Sequence, residues 1–413
     1  MKKLQAPRGT LDVLPQDARR RIEVVATADE VLGRAGYEPM ETPVFEDTEV
    51  FARGVGESTD IVQKEMFTFE DKAGRSLTLR PEATAGICRA YIEHGMHKLP
   101  QPVKVWYAGP FFRHEAPQAG RFRQFTQIDA EAIGSDDPSL DAELVLLLDK
   151  ILEQAGTGPR RVRLSSLGSR ETRADYLEEL KRFLRAREDE LSEEVRARID
   201  QNPLRAFDAD HAGTQAVMKD APLLLDRLAA DDAEHFAAVR ALLDAAGLGY
   251  EIDATLVRGL DYYTRTVFEF ESERLGAQAA LGGGGRYDGL IEELGGPPTP
   301  GVGFAAGIER ILLAAGEQPP ERPQTVFISH AAEDVGPLAF QLGLMLRNAG
   351  FRVESEQAGR SLKGQMRHAD RLGAFTVVIL GDGIEVKNME TGEQREATNP
   401  DAVLQLVREA ANA

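Results

Sequence analysis

The stretch GEQPPERPQ, residues 316–324, constrains this chain more than any other, because three prolines and three charged residues in so short a run suit a connector and no regular element. The hydrophobic rhythm differs on its two sides. Beyond it, strand VFISH, a helix over 334–349, strand FRVESE, a helix over 361–372, strand FTVVILG and a last helix from about 400 alternate. That alternation is the mark of a small separate α/β domain. A chain of 413 residues also exceeds one ordinary compact core. Two domains are expected, 1–320 and 325–413.

Before the connector the signals favour a sheet. Apolar positions at helical spacing over 16–35 stop at Gly36, and the extended segment YEPMETPVFE follows, interrupted by Pro43. MFTFE and SLTLR flank the turn DKAGR as a hairpin, and EATAGICRAYIEHG reads as a helix closed by Gly95. VKVWYAGPFFR and QFTQIDAEAIG read as strands joined by the polar loop HEAPQAGRFR. After a helix over 138–155 and strand RVRLSS comes a charged helical stretch, about 170–245, read as an insertion. Strands resume at YEIDATLVRG and TVFEFES, and TPGVGFAAGIERILLAAG reads as a strand running into a buried helix. The expected fold is α/β (α+β), a mixed, mainly antiparallel sheet with flanking helices and a helical insertion.

The formal charge of −19, taken alone, argues against a nucleic-acid partner, since phosphate binding draws on clustered Lys and Arg. Net charge governs the far field, however, and a nucleic-acid site needs only a local basic stripe. Runs such as EDELSEE are most simply a solvated face. The single cysteine, Cys88, excludes an internal disulfide and a multi-cysteine metal site, and it reads as inert core. No apolar run of membrane-spanning length occurs, and MKKLQAPRGT lacks a signal peptide's apolar stretch, so a soluble, cytoplasmic protein is expected.

Three segments join arginines to aromatics or glycines. In FFRHEAPQAGRFRQFTQ, Arg113, Arg121 and Arg123 with Gln118 form a donor-rich loop suited to phosphates, or equally a solvated hairpin. In LVRGLDYYTRTVFE, Arg258, Asp261, Tyr262 and Tyr263 crowd around a glycine, where a structural tyrosine pair is the ordinary explanation. The four glycines of LGGGGRYDGL permit close backbone approach or a sharp turn, and no Lys-Ser or Lys-Thr follows to make a P-loop. The seven histidines lack zinc-type spacing, and neither G-x-S-x-G nor H-E-x-x-H occurs. The residues alone indicate an Arg-rich, Gly-rich anion site.

In their order these segments resemble the class II aminoacyl-tRNA synthetases: Pro43 looks like the proline of the dimer-forming first motif, FRHE with FRQF like the second, GVGFAAGIER like the third. RGTLDVLP, RPEAT at 80–84, LVRGLDYYTRTVFE and LGGGGRYDGL resemble the histidyl-tRNA synthetases among them, and the C-terminal stretch is similar to their anticodon-binding domain. The resemblance implies adenylation of histidine by ATP with Mg²⁺, transfer to tRNA(His), and a homodimer that binds no membrane. Position by position it implies Arg113 at the α-phosphate, Glu115 at the adenine amino group, Arg121 at the distal phosphates, and Phe125 with Arg310 sandwiching adenine. Glu82, Thr84 and Gln127 would surround the α-amino group of histidine, with Glu131 and Tyr263 at the imidazole and Tyr262 and Tyr287 nearby. Arg258 would oppose Arg113 across the α-phosphate, in contact with histidine. Ala116 stands where many relatives carry Arg near the tRNA acceptor end, leaving Gln118 and Arg123 as candidates there, and Ala83 where many have Gly. GDGIEVKNMETGEQ looks like a trimmed hairpin. The competing reading is a non-catalytic synthetase-like regulatory subunit of ATP phosphoribosyltransferase. Such paralogues typically lack the anticodon domain and degrade the Arg258 region, both intact here.

Overall fold

The computed structural model describes residues 3–56, 59–116, 120–276, 279–317 and 324–412, so Gln118 and residues 318–323 of the connector lie outside the described residues. The chain divides into two compact units, Met1–Gln318 and Pro319–Ala413.

In the first unit eight strands form one sheet, in the order Glu38–Pro39, Val103–Phe112, Gln124–Ile133, Gly301–Gly307, Ala280–Arg286, Thr264–Ser272, Arg160–Ser166, Glu251–Ile252. The two edge pairings are parallel and the five between them antiparallel. Strand alternation decides what each face carries. Ile128, Ala130 and Ala132 join Val302, Phe304, Phe268 and Phe270 in an apolar cluster under the helices Pro15–Arg34, Pro138–Gln154 and Ala230–Ala245. Gln127, Asp129 and Glu131 are out of phase with that cluster. They share the other face with Tyr107, Tyr263 and Tyr287, whose cluster takes in the helix Thr84–Glu93.

The glycine run settles as strand: Gly282–Gly285 pair with Gly303–Ala306 on one side and with Val267–Phe270 on the other, which excludes the sharp turn. A Cβ on Gly284 would stand 2.0 Å from the Gly303 carbonyl oxygen, so close backbone approach is what the glycines provide. Directly after them, Arg286 is fully buried and donates to both carboxylate oxygens of Asp141, to Ser135 O at 3.0 Å and to Asp137 O at 3.2 Å. It ties the sheet to the start of the helix Pro138–Gln154.

Two expectations need correction. YEIDATLVRG is strand only at Glu251–Ile252, because Asp253 Oδ1 accepts from the N–H and hydroxyl of Thr255 at 2.9 and 2.6 Å and turns the chain. The helical stretch also splits. Helices Arg170–Arg185, Glu193–Arg198 and Ala212–Met218 share a cluster built on Tyr176, Leu180, Leu184 and Val217, whereas Ala230–Ala245 buries Phe236, Val239 and Leu243 with the main sheet.

The second unit is a five-stranded sheet ordered Arg352–Ser355, Thr325–His330, Ala374–Leu380, Ile384–Asn388, Gln394–Ala397, the first three parallel and the hairpin antiparallel. Helices Gly336–Asn348, Leu362–Leu372 and Pro400–Ala411 accompany it. Among the described residues no helix is long and apolar enough to cross a membrane.

Candidate active site

A cavity of about 300 Å³ opens on the polar face of the large sheet. Its floor comes from strands Ala280–Arg286 and Gly301–Gly307, and its walls from strand Gln124–Ile133 and the segments after Leu79 and before Thr264.

One end is a buried polar cluster. The Glu82 carboxylate accepts the Thr84 and Ala85 N–H groups at 2.8 and 2.9 Å, capping the helix Thr84–Glu93, and takes the Tyr262 hydroxyl at 3.4 Å. Thr84 Oγ1 donates to Glu131 Oε1 at 2.6 Å, and the Tyr287 hydroxyl donates to Glu131 Oε2 at 2.5 Å. Burial pushes the Glu131 carboxyl up to about 8, against those two donors, and burial pushes Glu82 up as well. Room for this cluster is made by glycine. A Cβ on Gly303 would lie 1.7 Å from Glu131 Oε2, and one on Gly301 2.3 Å from the Tyr287 ring.

The other end is cationic. Arg113 donates through Nε to Pro81 O at 2.9 Å and stacks over the Phe125 ring at 5.3 Å. Glu115 lies between two arginines, 2.9 Å from Arg121 Nε and 4.0 Å from Arg113 Nη1. Arg310 is held by Gly120 O at 3.2 Å and Ala280 O at 2.8 Å, and burial, with Arg121 adding repulsion, lowers its pKa. Between the two ends Arg258 is ion-paired with Glu269, whose other oxygen accepts from Arg163 at 3.3 Å. A Cβ on Gly283 would come within 3.0 Å of the Arg258 guanidinium, so that glycine also clears space.

Most residues singled out in the sequence meet here: Glu82, Thr84, Arg113, Glu115, Arg121, Phe125, Gln127, Arg258, Tyr262, Tyr263, Tyr287 and Arg310 all line the cavity. Glu131 lies one layer beneath, reached through Thr84 and Tyr287. Its phenol partner is Tyr287, while Tyr263 packs on Tyr262, ring centroids 4.7 Å apart. Arg123 is not among the lining residues. It donates to the Glu115 carbonyl at 3.4 Å, and its N–H bonds Gly9 O at 2.7 Å.

Sequence reasoning passed over Asp129, Glu269 and Glu309, which also line the cavity. Glu309 fixes the helix Ile308–Ala315 to the strand Gln124–Ile133 by accepting the Thr126 N–H at 3.0 Å and Arg21 Nη2 at 2.7 Å. The alternation that puts Gln127 and Glu131 on the polar face marks Asp129 as well.

Such a cavity has the chemistry to suit an anionic group at one end and a small molecule rich in hydrogen-bonding groups at the other. Comparison with known proteins narrows this further. The family model described as histidyl-tRNA synthetase matches residues 9–311, and that for an anticodon binding domain matches residues 325–409. A histidine–tRNA ligase of Rubrobacter xylanophilus is 47% identical over 97% of this chain and 98% of its own length. The crystal structure of apo S. aureus histidyl-tRNA synthetase is 36% identical and superposes with a TM-score of 0.83 over 98% of this chain and 100% of that one. A Bacillus halodurans structure described as an ATP phosphoribosyltransferase regulatory subunit/histidyl-tRNA synthetase is 22% identical, TM-score 0.67, covering 92% of this chain and 98% of that one, a likeness of fold alone.

Proposed function

The chain belongs to the histidyl-tRNA synthetase family, and we propose that the cavity of its first unit is where histidine and ATP react. The activity is that of a histidine–tRNA ligase, which uses ATP. What supports the assignment of the cavity is the meeting, in one space, of four arginines with a buried cluster of carboxyl, hydroxyl and phenol groups. The first suits a triphosphate and the second an amino acid.

In this reading Arg121 takes the distal phosphates, Glu115 exchanges its arginine partners for the adenine amino group, and Phe125 and Arg310 bracket the base. Histidine places its α-amino group near Glu82, Thr84 and Gln127, with Arg258 beside its carboxylate. Its imidazole lies by Glu131 and Tyr263, with Tyr262 and Tyr287 as the aromatic wall. The histidine carboxylate, with a pKa of about 3.3–3.7, is ionised at neutral pH and needs no general base. One of its oxygens bonds to the α-phosphorus as the bond to the bridging oxygen breaks and diphosphate leaves. The protein's part is positioning and neutralising charge, through Arg113 on one side and Arg258 on the other. A pocket that pairs both ring nitrogens rejects competitors lacking them by roughly 10⁴ to 10⁵.

Of the acidic side chains of the ATP end, Glu269 pairs with Arg258, Glu309 with Arg21 and the Thr126 N–H, and Glu115 passes from Arg121 to the adenine amino group. They offer no resident Mg²⁺ cage, so Mg²⁺ enters as part of the nucleotide substrate, carried on its phosphates. The second unit takes the anticodon end of tRNA(His), and Arg123 with Gln118 the acceptor end. The working form is a cytoplasmic two-fold dimer.

The deciding experiment is histidine-dependent exchange of labelled diphosphate into ATP, with the other nineteen amino acids as controls. Exchange with histidine alone is expected. No exchange by the folded protein would shift the reading to the regulatory paralogue. A Gly303→Ala variant checks the amino-acid end, since the added methyl meets Glu131 Oε2 and, at 2.7 Å, the Ala130 carbonyl. Overpacking of this kind predicts a histidine KM raised about tenfold or more. An unchanged KM would place histidine elsewhere.

A further inference from the structure

We propose that Asp129 is a binding residue for the α-ammonium group of histidine, and that it gives up a proton as that cation arrives. The inference rests on the reading above and deepens it.

An ammonium group has three N–H donors and no acceptor, so a buried one needs an acceptor for each. Glu82 is occupied by two backbone N–H groups and the Tyr262 hydroxyl, and the Thr84 hydroxyl points its hydrogen at Glu131. Each keeps a lone pair for the ammonium but is partly committed to the protein's own helix and cluster, so a further acceptor is called for. Two side chains of the strand Gln124–Ile133 are differently placed. Gln127 Oε1 and Asp129 Oδ2 are buried atoms with no hydrogen-bond partner, and both residues line the cavity. They are two positions apart on one strand, hence on one face, about 6.5 Å along the chain. Side chains at that spacing point the same way, within reach of one small cation between them. Buried acceptors are normally satisfied, and an unpartnered pair beside a cavity marks where a donor belongs.

Charge gives the second half. Asp129 is 1% exposed, and its Oδ2 has no hydrogen-bond partner among the described residues. Glu82 and Glu131 repel its negative charge, while Arg80 and Arg113 attract it from a distance. The Arg80 guanidinium is itself engaged by Pro110 O, Thr42 O and the Tyr107 hydroxyl, Tyr107 being the cross-strand neighbour of Asp129. The phenols that line the same cavity, Tyr262, Tyr263 and Tyr287, are kept un-ionised by burial. Burial and the two acidic neighbours push the Asp129 carboxyl well up, toward its neutral form. An incoming ammonium supplies the missing positive charge, and the carboxyl proton passes to solvent as the N–H···O bond forms. A neutral imidazole would do neither.

The test is titration calorimetry of the full-length protein near neutral pH in two buffers of different ionisation enthalpy. Histidine binding to the wild type is expected to release about one proton. Imidazolepropionate, which keeps the ring and carboxylate and lacks the amine, should release none, and this arm separates Asp129 from Glu131. Asp129→Asn should abolish the release and raise the histidine KM in diphosphate exchange roughly ten- to a hundredfold, the worth of a hydrogen bond between charged groups. Its effect on imidazolepropionate should be small. If the wild type exchanges normally yet binds histidine without proton release, or if Asp129→Asn leaves KM and proton count unchanged, Asp129 is merely a counter-charge to Arg80. A wild type inactive with histidine would instead remove the function on which the proposal stands. The wild-type proton count needs no variant to fold.

Discussion

Arg258→Ala should lower histidine-dependent diphosphate exchange by about a hundred- to a thousandfold, the usual cost of deleting one preorganised group that meets charge developing in a transition state. Histidine affinity should fall far less. The carboxylate that attacks is already ionised, so the guanidinium is needed for what appears later, the extra negative charge on the α-phosphoryl oxygens. An interaction made mainly in the transition state shows in kcat more than in KM. The ion pair with Glu269 complicates the variant, because its loss leaves a part-buried carboxylate with Arg163 as its remaining partner. The double variant Arg258→Ala/Glu269→Gln removes that problem and should be as slow as the single one. Exchange near the wild-type rate in either would sink the assignment of Arg258.

Arg286→Met should destabilise the first unit by about 3–5 kcal/mol, the cost of leaving one partner of a buried ion pair alone. Both partners have fully buried side chains, and the guanidinium also satisfies the carbonyls of Ser135 and Asp137. The variant strands one carboxylate and two carbonyl oxygens. Adding Asp141→Leu should recover most of the loss, since a buried pair is often no better than a well-packed apolar substitute. Urea denaturation of the first unit, followed through Trp106 on its sheet, reads both. A loss below about 1 kcal/mol for the single variant would mean that Asp141 finds another partner or water.

Both residues stand in segments that attracted notice in the sequence, and they show what sequence can and cannot reveal. Alternation in QFTQIDAEAIG places Gln127, Asp129 and Glu131 on one face, and the strand is found there. Which of several phenols reaches Glu131 depends on three strands meeting in space, and it is Tyr287. Arg286, beside the glycine run, carried no local sign that it turns to Asp141, 145 positions away. The glycines left turn and close approach equally open until their neighbours were known. LVRG looked like strand because Val and Leu are common there, but one aspartate making a local turn was enough to end it. Helix Ala230–Ala245 looked continuous with the charged insertion because charge pattern reports the solvent side, while its partner is set by the buried side. The net charge of −19 was silent on a local cluster of four arginines.

The glycines under the cavity bear on how such a site accepts change. A wall of side chains is remodelled in either direction, since each residue has smaller and larger substitutes. Bare backbone has no smaller substitute, so at Gly283 and Gly303 every exchange makes the cavity shallower. Retuning this enzyme toward a bulkier amino acid therefore has to proceed from the walls, where Gln127, Asp129 and the tyrosines still have volume to give up.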